Sequence, residues 1–194
     1  MGPKRLRLLA FVIIAGGLAL VVGSRWTSNE TEPVPVEVGS ALIPRGVPAS
    51  VSASAEIASI TDGDTLRLVG GTRIRLLQID APERGECFAR NAGAMLARLA
   101  PRGAHPDFFA DKSFGSEDDY GRLLLYVVLD DRVVNLELVR QGAAVPYFYG
   151  RQRGVYADEL MDAVGEARRE HRGLWGACPG AKLDPNRGAL TGPA

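Results

Sequence analysis

Between Glu56 and Asp80 the chain carries three short runs of aliphatic and β-branched residues, separated only by Thr61-Asp62-Gly63 and Gly70-Gly71. Asp-Gly is a strong turn signal and glycine pairs accept the positive φ of tight turns, so residues 56–60, 64–69 and 73–80 are expected as three strands in antiparallel succession, a meander. Residues 88–99 read as a helix ended by Pro101, and residues 107–112 and 122–129 as two further strands. Asn135 is placed to cap a short helix that runs through Arg140 and stops at Gly142. A last helix from about Val155 carries Tyr156, Leu160, Ala163 and Ala167 at helical spacing, a stripe expected to pack on the sheet. Five short strands with about three helices give an α+β fold, a five-stranded OB-fold-like β-barrel.

The flanks differ from this unit. Lys4, Arg5 and Arg7 precede an apolar run over residues 8–22, the order of a charged region and a hydrophobic region in an export signal. That run falls short of the roughly 20 residues that span a bilayer, so residues 1–23 read as a cleaved signal peptide or an uncleaved signal anchor. Either places the rest of the chain outside, secreted or anchored to the outer face of the cell membrane. Residues 24–55 contain Pro33, Pro35, Pro44 and Pro48 and read as a flexible, disordered spacer. The Gly- and Pro-rich residues 179–194 read as a disordered tail, which leaves 56–178 as the folded domain. Hydrophobic residues at 46% and charged residues at 24% exclude a wholly disordered chain, a collagen-like repeat and a multi-span membrane protein.

Cys87 and Cys178 are the two cysteines, too few for a disulfide-dense scaffold and wrongly spaced for a zinc cluster. In an exported chain two thiols usually pair, and a Cys87–Cys178 bridge closing such a long loop would contribute about 4–5 kcal/mol at most. Two free buried thiols are the alternative.

The chemistry gathers at the strand ends. Asp62-Gly63-Asp64-Thr65 and the run from Arg73 to Glu83 (RIRLLQIDAPE) bring carboxylates and arginines together. Asp64 and Asp80 offer hard oxygen ligands, suited to Ca²⁺ or Mg²⁺ rather than zinc or copper. Pro82 fixes its own φ and restricts Ala81, so Glu83 leaves the strand at a defined angle, as a positioned base would. Asp64, Asp80 and Glu83 sum to −3; Arg75, a dication and a second arginine bring the total to about +1, and a phosphodiester is then attracted. Arg122, after Gly121, is the second arginine, since two planar guanidinium forks grip phosphate oxygens as lysine cannot. Tyr147 and Tyr149 alternate in Pro146-Tyr147-Phe148-Tyr149 and suit a base or phosphate. Each feature has a plainer reading: Asp62 to Asp64 as a mere turn, Arg75 as a core-edge arginine paired to a structural acid, the tyrosines as packing.

Taken together, DGDT (62–65), RIRLLQIDAPE (73–83), DYGRLLLYV (119–127), VNLELVRQG (134–142) and RGLW (172–175) resemble the staphylococcal, or micrococcal, nuclease family (thermonucleases). The resemblance implies a Ca²⁺-dependent endonuclease that hydrolyses DNA and RNA and leaves 3′-phosphate ends. It implies Ca²⁺ on the Asp64 and Asp80 side chains and the Ala81 carbonyl. Arg75 and Arg122 would hold the phosphate, Glu83 would be the base, and Tyr120, Tyr147 and Tyr149 would line the nucleotide site. Expected with it are a single-strand preference, a monomer and no organic cofactor. Departures are visible: Ala81 stands where the family type has Thr, Asp119 where it has Lys, and residues 84–87 replace a Lys-rich loop with a short one that contains Glu86. Residues 56–178 hold 16 Lys and Arg against 19 Asp and Glu, a net −3, so polyanion attraction is weakened. The rival functions are a noncatalytic nucleic-acid- or protein-binding module on the same fold, and an envelope interaction protein.

Overall fold

The computed structural model describes residues 56–193, and before them two short strands, β1 (Val36–Val38) and β2 (Ala41–Ile43). These two pair antiparallel, Val36 with Ile43 and Val38 with Ala41, within the stretch expected as a disordered spacer. The signal or anchor segment 1–23 and the rest of the spacer lie outside the described residues. Among the described residues no helix is long and apolar enough to cross a membrane.

The expected meander forms as β3 (Ile57–Ile60), β4 (Thr65–Leu68) and β5 (Arg73–Leu76), each antiparallel to the next. After helix α1 (Ala89–Leu99) come β7 (Asp107–Phe109) and β8 (Leu123–Leu129), and β8 lies parallel to β5, giving the order β3-β4-β5-β8-β7. The Ile57 N–H donates to Ala104 O at 2.9 Å and Gly103 N–H to Ile57 O at 2.8 Å, so the chain leading into β7 returns to the first strand and the sheet curls into an OB-fold-like barrel. A two-residue strand β9 (Arg132–Val133) turns back to pair antiparallel with the end of β8.

The third strand is shorter than expected. It breaks at Leu77-Gln78, where Gln78 takes φ 62°, and resumes as β6 (Ile79–Asp80), which pairs with β10 (Val145–Pro146). The break flips side-chain parity, so Leu76 and Leu77 are both buried. Buried polar groups hold it: Gln78 accepts from the Tyr126 hydroxyl at 2.8 Å, and the Asn135 amide donates to Leu77 O at 2.9 Å. Asn135 therefore does not cap α2 (Val134–Arg140); Val133 occupies the capping position without a side-chain bond, and Asn135 instead spans the barrel to accept from the Val127 N–H. Its amide satisfies strand groups that the break leaves unpaired.

Helix α3 (Ala157–Arg169) buries Leu160, Ala163, Val164 and Ala167, and Tyr156 at its start meets Tyr126 edge-on at 4.8 Å, so the stripe reaches the sheet as expected. A last turn, α4 (Leu174–Ala177), follows, and Cys178 is disulfide-bonded to Cys87.

The tail is not disordered. Residues 182–190 form a hairpin of β11 (Lys182–Asp184) and β12 (Gly188–Leu190), and Leu183 and Ala189 pack with Val145, Leu174 and Cys178. Two three-residue strands are too short to show periodicity in sequence. A small apolar cluster and a covalent tie at residue 178 supply the order instead.

Candidate active site

Register places the charged side chains before any of them is chosen by chemistry. Thr65 of β4 is paired with Arg75 of β5, Arg75 lies beside Leu124 of β8, and Arg122 immediately precedes that strand. Asp64 ends the turn before β4. Gly63 in that turn cannot be replaced: a Cβ there would lie 2.5 Å from the Ala81 Cβ and 2.7 Å from the Ala92 Cβ, so the turn packs directly on α1 and on the segment after β6.

Arg75 is the hub. One of its terminal nitrogens donates to Leu76 O at 2.8 Å and Ile79 O at 2.7 Å, while the other lies 2.8 Å from Asp80 Oδ1 and 3.2 Å from Asp64 Oδ2. Asp64 is buried and also accepts from the Ala81 N–H at 2.8 Å and the Thr65 hydroxyl at 3.0 Å. Thr65 accepts in turn from Arg122 Nη1 at 3.3 Å, so one chain of polar contacts runs from Arg122 through Thr65 and Asp64 to Arg75 and Asp80. Thr65 lies within the DGDT motif, yet sequence reasoning gave it no part.

Arg122 is set by a residue that reasoning also passed over. Asp118 Oδ1 accepts from the N–H groups of Tyr120 and Arg122, and its Oδ2 accepts from Arg122 Nε at 2.6 Å. Although burial works to raise the Asp118 carboxyl, these bonds outweigh it and hold it below the ordinary value, an anion that fixes the loop. Signals for it existed: an aspartate four residues before an arginine at a turn.

A cavity of about 400 Å³ is lined by Arg75, Arg122, Tyr120, Tyr147 and Tyr149. The Tyr147 and Tyr149 rings stand 6.3 Å apart and steeply inclined, and the Arg122 guanidinium lies 5.4 Å from the Tyr120 ring centre. Burial, then the charge of Asp80, push the Tyr147 phenol up, so it remains a neutral donor. Glu83 does not line this cavity. It is exposed and opens on a second one of about 1020 Å³ with Asp62, Arg84 and Arg90, and its N–H donates to Glu86 Oε2 at 2.8 Å. Glu86 is thereby a loop-shaping acid. The structure thus joins Asp64, Asp80 and Ala81 to Arg75 by direct polar contacts, sets Arg75 with Arg122 and the three tyrosines on one cavity, and sets Glu83 on a separate one.

Among the described residues no group of three or more His, Cys, Asp or Glu stands as a metal cluster. What fits a hard cation is the pair itself: two carboxylates share one guanidinium, so one buried negative charge lacks a counter-charge. Burial first, against the pull of Arg75 and helped by Asp62, pushes the Asp64 carboxyl up to about 6. A folded value above the unfolded 3.8 means the folded state holds its proton longer. Stability therefore falls as pH rises from 3.8 to about 6, and the full cost is present at pH 7. Asp64→Asn is expected to raise the stability of the metal-free protein by roughly 1–3 kcal/mol at pH 7 and to lose that advantage at pH 4. Urea unfolding of both proteins at the two pH values checks this; a destabilised variant at pH 7 contradicts it.

Residues 73–177 match the family model described as Staphylococcal nuclease homologue. Similar curated proteins include Protein ParB of Escherichia coli, 34% identical over 142 residues, which are 66% of this chain and 75% of that one. Micrococcal nuclease of Shigella flexneri is 32% identical over 142 residues, 66% of this chain and 77% of that one. Endonuclease YhcR of Bacillus subtilis (strain 168) is 31% identical over 147 residues, and the matched part is 66% of this chain but 12% of that protein.

Proposed function

Since the chain belongs to the staphylococcal nuclease family, we propose that it is an exported, Ca²⁺-dependent nuclease that cleaves DNA and RNA with little sequence specificity and leaves 3′-phosphate ends. The observation that carries this reading is the Arg75 guanidinium shared between Asp64 and Asp80 in a cavity that also holds Arg122 and three tyrosines.

In this reading Asp64, Asp80 and the Ala81 carbonyl hold the ion, which when bound supplies positive charge to the phosphate oxygens. Arg75 and Arg122 bind the same phosphate and stabilise the charge that grows on it during displacement. Glu83 takes a proton from water as the water oxygen bonds to phosphorus, and the bond to the 5′ oxygen breaks, that oxygen taking a proton from solvent, which leaves a 3′-phosphate and a 5′-hydroxyl. Tyr120 and Tyr149, at 72% and 70% exposure, offer ring surface on which unpaired bases can stack, which favours single strands. Export is supported by the basic and apolar order of residues 4–22 and by the Cys87–Cys178 bond. Secretion and anchoring to the outer face of the membrane both accord with that segment.

Release of acid-soluble fragments from single-stranded DNA and from RNA, measured in CaCl₂, in MgCl₂ and with chelator, tests the proposal. Cleavage is expected in Ca²⁺ alone, with fragments that lose a terminal phosphate to a 3′-phosphatase. No cleavage in Ca²⁺ would remove the enzyme reading and leave oligonucleotide binding without hydrolysis.

A further inference from the structure

The carboxylate of Asp80 has two neighbours, and one comes from the tail. Oδ1 faces Arg75, while Oδ2 accepts from the Ala189 N–H of β12 at 2.8 Å. Next to it, Gly188 has φ 82°, and a Cβ on that residue would lie 2.3 Å from Asp80 Oδ2 and 2.9 Å from its Cγ. The main chain of the hairpin therefore touches the carboxylate as closely as a backbone can, and only glycine permits the approach.

Several ties hold the hairpin there. Pro185 O accepts from the Phe148 N–H at 2.6 Å, beside Tyr147. Gly192 O accepts from the Cys87 N–H at 3.0 Å, and Glu86 and Pro193 form a bridge. The Cys87–Cys178 disulfide fastens the start of the tail to the same loop. Residues 179–193 are thus fixed to both β10 and the loop after Glu83, with Gly188-Ala189 delivered between them to Asp80.

We propose that the C-terminal hairpin is a positioning element of the site, in which the Gly188-Ala189 main chain sets the Asp80 carboxylate for the cation. The inference rests on reading Asp80 as a cation ligand. Asp80 leaves β6 at the end of a two-residue strand, and among the described residues its side chain is otherwise steered by Arg75, which Asp64 shares. The Ala189 N–H occupies one lone pair of Oδ2 and fixes the plane of the carboxylate, so its remaining lone pairs point one way before any ion arrives. An orienting bond of this kind is commonly worth 10–100-fold in metal affinity.

The test is calorimetric titration of CaCl₂ into the full chain without nucleic acid, on wild type, Gly188→Ala, Ala189→Pro and Gly180→Ala. Gly188→Ala pushes a methyl group into Asp80, and Ala189→Pro deletes the donor. Gly180 has φ 91° with nothing within 4 Å, so Gly180→Ala adds backbone strain to the same tail away from Asp80. Melting midpoints without metal separate folding from positioning, and Ala189→Pro serves if Gly188→Ala does not fold. The Ca²⁺ dissociation constant is expected to rise at least tenfold for Gly188→Ala and about tenfold for Ala189→Pro, and to stay within twofold for Gly180→Ala at a similar melting midpoint. In an Asp80→Asn background, Gly188→Ala should change the residual affinity by less than twofold. Wild-type affinity in both Gly188→Ala and Ala189→Pro overturns the positioning proposal and leaves the nuclease reading standing. A wild type that neither binds Ca²⁺ nor cleaves in its presence overturns the nuclease reading, and this proposal falls with it.

Discussion

Arg75→Ala is expected to slow phosphodiester cleavage about 10²–10³-fold and to destabilise the fold by roughly 3–5 kcal/mol at pH 7. Both effects come from one group. Its guanidinium donates to Leu76 O and Ile79 O on either side of the break in the third strand, and it stands between two carboxylates that would otherwise face each other. Removing it takes a charged donor from two carbonyls and leaves two neighbouring carboxylates, one of them buried, without a counter-charge. The stability loss should shrink below about pH 5, because without the guanidinium the carboxyl groups protonate more readily and the repulsion disappears. Arg75→Lys keeps the charge but cannot span four acceptors, so it should recover part of the stability and little of the rate. Urea unfolding at pH 5 and 7, with single-turnover cleavage of a labelled oligonucleotide, checks the pair of effects. A variant as stable and as active as wild type would place Arg75 outside the site.

The second large effect is confined to rate. Glu83→Gln is expected to lower kcat by about 10²–10⁴-fold, while KM for an oligonucleotide and the melting temperature change little. The glutamine keeps the size of the side chain and loses only the ability to take a proton. The bond that shapes the loop at this residue is made by the Glu83 main-chain N–H to Glu86, and it survives the change. An exposed side chain with no structural partner among the described residues gives a clean separation of chemistry from folding, since little else depends on it. Steady-state kinetics with calorimetric binding of a noncleavable oligonucleotide would check it, and an unchanged kcat would move the base to another residue. Asp62 lines the same cavity and would then be the first residue to examine.

The barrel was legible because its signals are local. Turn dipeptides, β-branched runs and a proline after a helix act over a few residues, so the helices over 89–99 and 157–169 and the starts of the five strands fall close to where their sequences place them, while the third and fourth strands end early. Asn135 was misread for a related reason. Asparagine before an apolar run is a local capping signal, but a break in a distant strand created unpaired groups at Leu77 that its amide serves better. Thr65 and Asp118 escaped notice because hydroxyls and turn aspartates are common, and their value appears only once Arg122 is seen between them.

By itself, then, the sequence determined which residues could do chemistry and in what order along the chain, since residue type and turn spacing are written in it and act at short range. It determined the two cysteines but not the path they join. Only the tertiary structure decided that β5 and β8 run side by side, which brings Arg75 and Arg122 to one cavity, and that a Gly-rich tail folds back onto Asp80. Those contacts link residues 47 and 109 positions apart. Their free energy depends on closing loops of that length against a packed barrel, a quantity that no window of neighbouring residues contains.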